Sequence, residues 1–140
     1  MKSFNHCELY LNLPGDFEVT EGSESFDLVL SNGTASVAVA RISFIAGYNQ
    51  GIPDTLTAKA FADFFMIQSG IESTVHVRET IPYYSYKQST GNVEYYCLAS
   101  FYRTMYAYFI VLYSVKADLE EEWRESFMSY MMDVRIIYDD

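Results

Sequence analysis

One stretch decides the fold: Val93-Glu-Tyr-Tyr-Cys-Leu-Ala-Ser-Phe-Tyr-Arg-Thr-Met-Tyr-Ala-Tyr-Phe-Ile-Val-Leu-Tyr-Ser-Val115. Tyr, Phe, Val and Ile dominate it, and these residue types pack well on a pleated sheet. We predict two long strands, 93–102 and 105–115, joined by a bend at Arg103-Thr104. Both alternating faces of the second strand are largely apolar, which is typical of a strand inside a sheet that is covered on both sides. This pair is therefore predicted to be the centre of the fold.

Two other segments carry apolar residues at helical spacing. The first is a predicted helix over 55–69, which Asp54 or Thr55 would cap and Gly70 would end. The second is a predicted helix over 118–133, capped by Asp118, with glutamates in its first turn and a short extended tail over 135–138 after it.

Short stretches of alternating polar and apolar residues surround these two helices. Asn32-Gly33 is a hairpin signal. It precedes a predicted strand over 35–45 and a predicted loop over 47–53. Pro82 predicts a sheet edge or a break between two strands. Strands followed by a helix, then strands and a helix again, predict an α+β fold in which a largely antiparallel sheet of about six or seven strands is covered by helices. We expect residues 1–140 to form a single domain.

Composition excludes several classes of partner. The formal net charge is −10, which disfavours binding to nucleic acid and to anionic membrane surfaces. The longest apolar run is too short for a helix that spans a membrane. With Met1 as the native first residue, the lack of an apolar leader predicts a cytoplasmic protein, in which Cys7 and Cys97 are free thiols.

No pattern of residues indicates catalysis, a metal ion or a cofactor. A G-x-S-x-G motif is absent from the sequence. We predict that His76 is an exposed strand residue and that Cys97 is an inert core thiol. His6 and Cys7 are neighbours in an extended segment, so they point to opposite faces and make a poor metal pair. The acidic run that begins at Asp118 is predicted to be a solvated helix N-terminus, not a calcium loop.

At its two ends the chain resembles the PsbP/Mog-like superfamily, which includes bacterial DcrB-type proteins. The opening Leu9-Tyr-Leu-Asn-Leu13-Pro14-Gly-Asp-Phe17 is similar to the start of that family. The closing pattern, in which Phe127, Tyr130, Val134 and Ile136 recur along the last helix and strand, is similar to its end. The resemblance implies an antiparallel sheet with packed helices. It also implies a binding role toward other proteins, with no shared catalytic residues.

Two functional hypotheses follow, and neither is an enzyme. The first is a binding or adaptor domain for another protein or for a second copy of the chain, since tyrosine is common at protein interfaces. Its predicted contact surface consists of eight residues: Tyr83, Tyr84, Tyr86, Glu94, Tyr96, Tyr102, Tyr106 and Tyr108. The alternative for each tyrosine is packing beneath a helix.

The second hypothesis is a carrier of a small apolar ligand, held between the sheet and a helix in a pocket of about 300 Å³ or more. Its predicted contacts are Phe61, Phe64, Phe65, Phe109 and Trp123.

Overall fold

The computed structural model describes residues 1–20 and 25–137. The strands are β1 Lys2–His6, β2 Leu9–Leu13, β3 Glu18–Thr20, β4 Leu28–Ser31, β5 Ser36–Ser43, β6 His76–Arg78, β7 Ile81–Thr90, β8 Val93–Arg103, β9 Ala107–Lys116 and β10 Arg135–Ile136. The helices are α1 Phe44–Asn49, α2 Ala58–Gln68 and α3 Glu120–Met132, with a 3-10 turn at Ala117–Leu119 directly before α3.

Seven strands form one antiparallel sheet in the order β3-β4-β5-β9-β8-β7-β6, while β1, β2 and β10 form a second sheet. Strand β9 lies in the middle of the large sheet, where it pairs with β5 on one side and β8 on the other. The predicted α+β class, the antiparallel sheet and the central position of β8 and β9 are confirmed. The second, three-stranded sheet was not predicted.

The large sheet is covered on both faces, as the alternation in the sequence predicts. On β9, Phe109 and Val111 belong to a core beneath α3 and the small sheet, whereas Tyr108 and Ile110 belong to a core beneath α2. We call these two sides the α3 face and the α2 face. Because successive side chains of a strand point to opposite faces, one apolar strand contributes to two cores.

The turn between β8 and β9 lies further along the chain than predicted. Strand β8 continues through Arg103, and the turn occupies residues 104–106. The Thr104 backbone N–H donates to the Ala107 carbonyl at 2.9 Å, and Thr104 Oγ1 accepts from the backbone N–H groups of Tyr106 and Ala107. The Thr104 side chain thus closes the turn in place of a glycine or asparagine.

Two helix starts also differ from the prediction. The predicted strand over 35–45 ends at Ser43, whose Oγ accepts from Ala46 N–H and caps the short helix α1, so the predicted loop over 47–53 is partly helical. Helix α2 begins after Thr57, which caps it, and not after Asp54 or Thr55. The reason is Tyr108, whose hydroxyl donates to the Pro53 carbonyl at 2.7 Å and accepts from Leu56 N–H at 3.1 Å, holding that segment out of the helix.

Pro82 does not break the strand but limits its pairing. The hairpin between β6 and β7 turns at Glu79, which has a φ of 58°. Pro82 lies inside β7, and the ladder to β8 begins at Tyr83, one residue later. A proline has no amide hydrogen to donate to a sheet ladder, which accounts for this start.

The C-terminal part follows the predicted order with one correction at its cap. Asp118 lies in the 3-10 turn, and α3 begins at Glu120 with no side-chain cap, because Leu119 at the cap position packs against the core. Phe127 and Met131 of the predicted apolar stripe are buried. The predicted tail forms β10, which pairs with β2, while Tyr138 lies outside the described residues.

Candidate functional site

The eight predicted contact residues do not form one surface. Tyr84 and Tyr108 are buried on the α2 face and Tyr86 is half-buried there, whereas Tyr96 and Tyr102 are buried on the α3 face with Tyr83 half-buried beside them. The two remaining residues, Glu94 and Tyr106, are exposed at opposite ends of the sheet. At about 3.3 Å per residue, the two ends of β8 are roughly 30 Å apart. The predicted single groove is therefore wrong, since strand alternation and strand length separate its members.

The four buried tyrosines are structural in this fold. Tyr102 Oη donates to the Met131 carbonyl at 3.1 Å and accepts from Ser100 Oγ at 3.0 Å, and burial raises the pKa of this phenol. The Tyr108 ring is stacked on Phe61 of α2 with centroids 4.4 Å apart. Packing beneath the helices, the alternative kept open for each tyrosine, applies to these four residues.

A different set of large apolar side chains is exposed together at one end of the sheet. Ile45 and Tyr48 of α1 are each 81% exposed, Met105 of the β8–β9 turn is 66% exposed, and Tyr106 is 51% exposed. Ile45 and Tyr48 are three residues apart and share one face of α1. The Phe44 N–H donates to the Tyr106 carbonyl at 2.9 Å, so the helix and the turn are adjacent. We call these four residues the apolar end.

Arg103 lies at the border of the apolar end. Its guanidinium lies 4.9 Å from the centroid of the Phe44 ring and donates to the Asp54 carbonyl. Within residues 1–20 and 25–137, no carboxylate forms an ion pair with it. A cation held on an aromatic ring and not neutralised by an acid is available to an acceptor on a partner.

A partly buried ion pair between Glu8 and Arg41 holds the turn that carries Met105 and Tyr106. Glu8, which is buried, accepts from Thr104 Oγ1 at 2.8 Å and pairs with Arg41 Nη2 at 2.9 Å. The same contacts link the small sheet to the large one, because Glu8 lies next to β2 and Arg41 lies on β5. The apolar end is thus presented by a fixed turn, which lowers the entropy cost of binding.

Of this set, Tyr106 was predicted from the sequence, whereas Ile45, Tyr48 and Met105 were not. Helix α1 has six residues, too few for the helical period to be visible in the sequence. The available signal was Ser43, a good N-cap residue directly before an apolar pair.

The remaining polar candidates lie apart from the apolar end. Cys97 is buried on the α2 face, as predicted for a core cysteine, and burial raises the pKa of its thiol to about 11, which disfavours the reactive thiolate. His76 is exposed in β6, as predicted, with its ring 5.6 Å from that of Tyr83. His6 lies in β1 with Nε2 3.3 Å from Asp27 Oδ2.

The predicted solvated helix N-terminus is partly paired. Glu120 pairs with Arg124 one turn later and lies 3.8 Å from Lys87 Nζ. In the part of the chain that the structure describes, no group of three His, Cys, Asp or Glu side chains is placed to hold a metal ion.

The similarity of this chain to known proteins lies in its fold. No protein-family model and no curated protein matches the chain. The solution structure of the PsbP protein of the cyanobacterium Synechocystis, CyanoP, matches over 96% of this chain and 91% of its own, with a TM-score of 0.59 and 16% identity. The chain has a PsbP-like fold. The predicted resemblance is confirmed at this level, while the DcrB-like branch stays a prediction.

Two other solved structures are similar in fold to this chain. A crystal structure from Bacteroides thetaiotaomicron matches 99% of it with a TM-score of 0.64 and 13% identity, and the chain spans about half the length of that protein. LpqN, described as involved in cell envelope biogenesis of Mycobacterium tuberculosis, matches 93% of it with a TM-score of 0.49 and 7% identity. These similarities concern the fold alone.

None of the helices within the described residues has the length and apolar character needed to cross a membrane.

Proposed function

We propose that this chain is a non-catalytic protein-binding domain and that the apolar end is its contact surface. The observation that carries the proposal is the exposure of four large apolar side chains on two adjacent segments, Ile45 and Tyr48 on α1 and Met105 and Tyr106 on the β8–β9 turn. Large apolar side chains that are exposed on adjacent segments, and not scattered singly, mark a candidate interaction site. Tyrosine and methionine are also among the residue types enriched at interfaces.

The partner that fits this surface offers apolar side chains beside a hydrogen-bond acceptor. The apolar side chains would cover Tyr48 and Met105, and a carboxylate or carbonyl group would face Arg103, whose planar guanidinium suits either acceptor. Two copies of a chain with net charge −10 repel each other. A different protein is therefore favoured over self-association.

Site-specific cross-linking tests the location of the contact. A photoreactive phenylalanine derivative is placed at position 48 or 105, and as a control at position 67, because Ile67 of α2 is 72% exposed but lies away from the apolar end. After irradiation in a lysate of the source organism, we expect positions 48 and 105 to capture the same partner segment and position 67 not to capture it. Equal capture at all three positions, or none above the control, would contradict the proposal. Cross-links between two copies would indicate self-association.

Substitution measures the strength of the contact once the partner segment is known. Replacing Tyr48 and Met105 by serine should weaken binding by roughly 10- to 100-fold, because each residue has the character of an interface anchor. Replacing Ile67 and Val19 by serine removes a similar amount of exposed apolar surface elsewhere and should leave the affinity unchanged.

The sequence-based surface gives a competing prediction. Changing Tyr83, Tyr84 and Tyr86 to alanine should leave binding at the apolar end intact wherever the variant folds, since these residues lie on β7. Loss of binding in a folded variant would favour that surface instead. A cytoplasmic location and the lack of a nucleic-acid partner stay predictions that accompany the proposal.

A further inference from the structure

The predicted carrier of a small apolar ligand requires a correction, because its five contacts do not face one pocket. Phe61, Phe64 and Phe65 pack on the α2 face, whereas Phe109 and Trp123 pack on the α3 face. Since the large sheet lies between the two groups, a ligand held by one helix cannot contact all five residues. A small-molecule site must therefore be sought with other residues.

A cleft with charged walls lies on the α3 face, between α3 and the edge strand β6, and it is independent of the apolar end. It consists of two hollows of about 420 and 340 Å³, which follow α3 from Glu120 to Met132 over about 18 Å. Arg78 of β6 and Glu125 and Met128 of α3 line both hollows, so these residues lie where the hollows meet. We call the two hollows the α3 cleft. Each has a volume within the range of roughly 300–1,000 Å³ for ligand sites.

The register of β6 directs its charged side chains toward this cleft. His76 lies opposite Tyr83 and Arg78 lies opposite Ile81 in the ladder with β7. Tyr83 and Ile81 both pack on the α3 face, and the His76 ring lies 5.6 Å from the Tyr83 ring. Directly opposed residues of an antiparallel pair project from the same face of the sheet. The Arg78 side chain is therefore on the side of α3.

Arg78 and Glu125 border the cleft on opposite walls without forming an ion pair. Both residues are exposed, and the ion pairs formed within residues 1–20 and 25–137 include neither of them. The other two charged side chains at the larger hollow, Glu120 and Arg124, pair with each other. One cation and one anion thus remain available on the two walls of the same cleft.

The surface between these two charges is mainly apolar. Leu98 and Tyr96 of β8 and Met128 of α3 line the larger hollow, and both β8 residues are buried beneath it. Burial raises the pKa of the Tyr96 phenol, against the opposing effects of Ser85 and Arg124, so the ring is neutral at physiological pH. The part of a ligand that lies between the charges therefore meets uncharged side chains.

We infer that the α3 cleft binds a small zwitterion of the α-amino acid class with an apolar or aromatic side chain. The ligand carboxylate accepts from the Arg78 guanidinium, whose planar fork suits a carboxylate. The ligand ammonium group donates to Glu125, and the ligand side chain lies on Leu98 and Met128. A singly charged ligand leaves one of the two protein charges unpaired, and Glu79, next to Arg78 in the chain, further disfavours a purely anionic ligand.

Four probes that share a phenyl ring test the inference. At neutral pH phenylalanine carries both charges, hydrocinnamate only the carboxylate, phenethylamine only the ammonium group, and N-acetyl-phenylalaninamide neither. Binding of each probe to the whole chain is measured by NMR titration. We expect phenylalanine to shift the signals of Leu98 and Met128 and to bind roughly fivefold more tightly than each singly charged probe, the upper end for an exposed ion pair. Tightest binding by the uncharged probe would indicate a peptide segment as the ligand and would overturn the inference.

Two variants separate the contributions of the two charges. In Arg78→Gln, phenylalanine should lose its advantage over phenethylamine, and in Glu125→Gln it should lose its advantage over hydrocinnamate. Arg135→Gln and Glu121→Gln remove the same charges from exposed residues outside both hollows, so these matched controls should leave both affinity ratios unaltered. The inference fails when no probe binds saturably, when the shifted signals lie elsewhere, or when the cleft variants change the ratios no more than the controls do.

Discussion

Replacing Tyr84 by phenylalanine should raise the free energy of unfolding, although it removes an oxygen atom from a buried side chain. Tyr84 is fully buried, and its Oη has no hydrogen-bond partner among the described residues. Leaving a buried polar group unpaired costs about 1–3 kcal/mol. The phenylalanine ring can keep the stacking on Phe101. We expect a gain of about 1 kcal/mol, at the low end of that cost, because the emptied space loses some packing.

The measurement is urea denaturation of the wild-type protein and the variant, with thermal unfolding as a second probe. A gain of this size corresponds to a rise in Tm of about 3–5 °C for a chain of 140 residues. Tyr102→Phe is the matched control. Its hydroxyl bonds to Met131 and Ser100, so this variant should lose about 1 kcal/mol.

The two substitutions are chemically identical and should shift stability in opposite directions. If Tyr84→Phe lowers the free energy of unfolding as much as Tyr102→Phe does, the Tyr84 hydroxyl has a hydrogen-bond partner.

Three further predictions concern the fold. Arg41→Met should lower the free energy of unfolding, measured by urea denaturation, by about 2–4 kcal/mol, because it leaves the buried Glu8 carboxylate without its cation. Adding Glu8→Gln to this variant should recover most of the lost stability, and no recovery would refute the ion-pair explanation. Phe61→Ala should lower the free energy of unfolding by about 3–5 kcal/mol, because the ring is fully buried and stacked on Tyr108. A decrease of less than about 1 kcal/mol would mean that other contacts hold α2 on the sheet. Stability should also fall as the pH rises from about 10 toward 12, because the pKa of Tyr84 is 10.0 in the unfolded chain but about 12 in the folded protein. Tyrosinate absorbance and circular dichroism, followed together, would detect unfolding coupled to ionisation. A protein that stays folded with all its tyrosines ionised would contradict this prediction.

The sequence predicted the fold best where a pattern of apolar residues is long and arises from burial within one strand or helix. Ten residues of β9 alternate between two apolar faces, and this was enough to place the strand at the centre of a covered sheet. The α3 stripe through Phe127 and Met131 was equally clear. Both patterns depend on burial, which the sequence records directly through residue type.

The predicted ends of helices and strands were wrong where a side chain distant in the sequence fixes the boundary of the element. Tyr108, far from α2 in the sequence, holds the segment before Leu56 out of the helix and moves the cap to Thr57. Thr104 moves the central turn by accepting two backbone N–H groups, and Glu8 fixes Thr104 from another strand. No periodicity in the sequence encodes such contacts.

The candidate site was less predictable than the fold. Counting tyrosines indicated aromatic surface but could not assign each ring to a face, a helix or a turn. Only Tyr106 of the predicted set belongs to the apolar end. The other members of that end, Ile45, Tyr48 and Met105, are ordinary apolar residues whose exposure depends on how α1 and the turn project from the sheet.

The pairing of β5 with β9 has a consequence for how the molecule is made. The meander from β6 to β9 consists of neighbours in sequence, so it can assemble quickly, whereas β5 must wait for a strand from the other half of the chain. During synthesis from the N-terminus, β5 leaves the ribosome well before β9 exists. Until β5 and β9 pair, each strand has an unpaired apolar edge that can pair with another incomplete chain. Incomplete chains that lie close together on ribosomes should therefore aggregate more readily than the folded protein does.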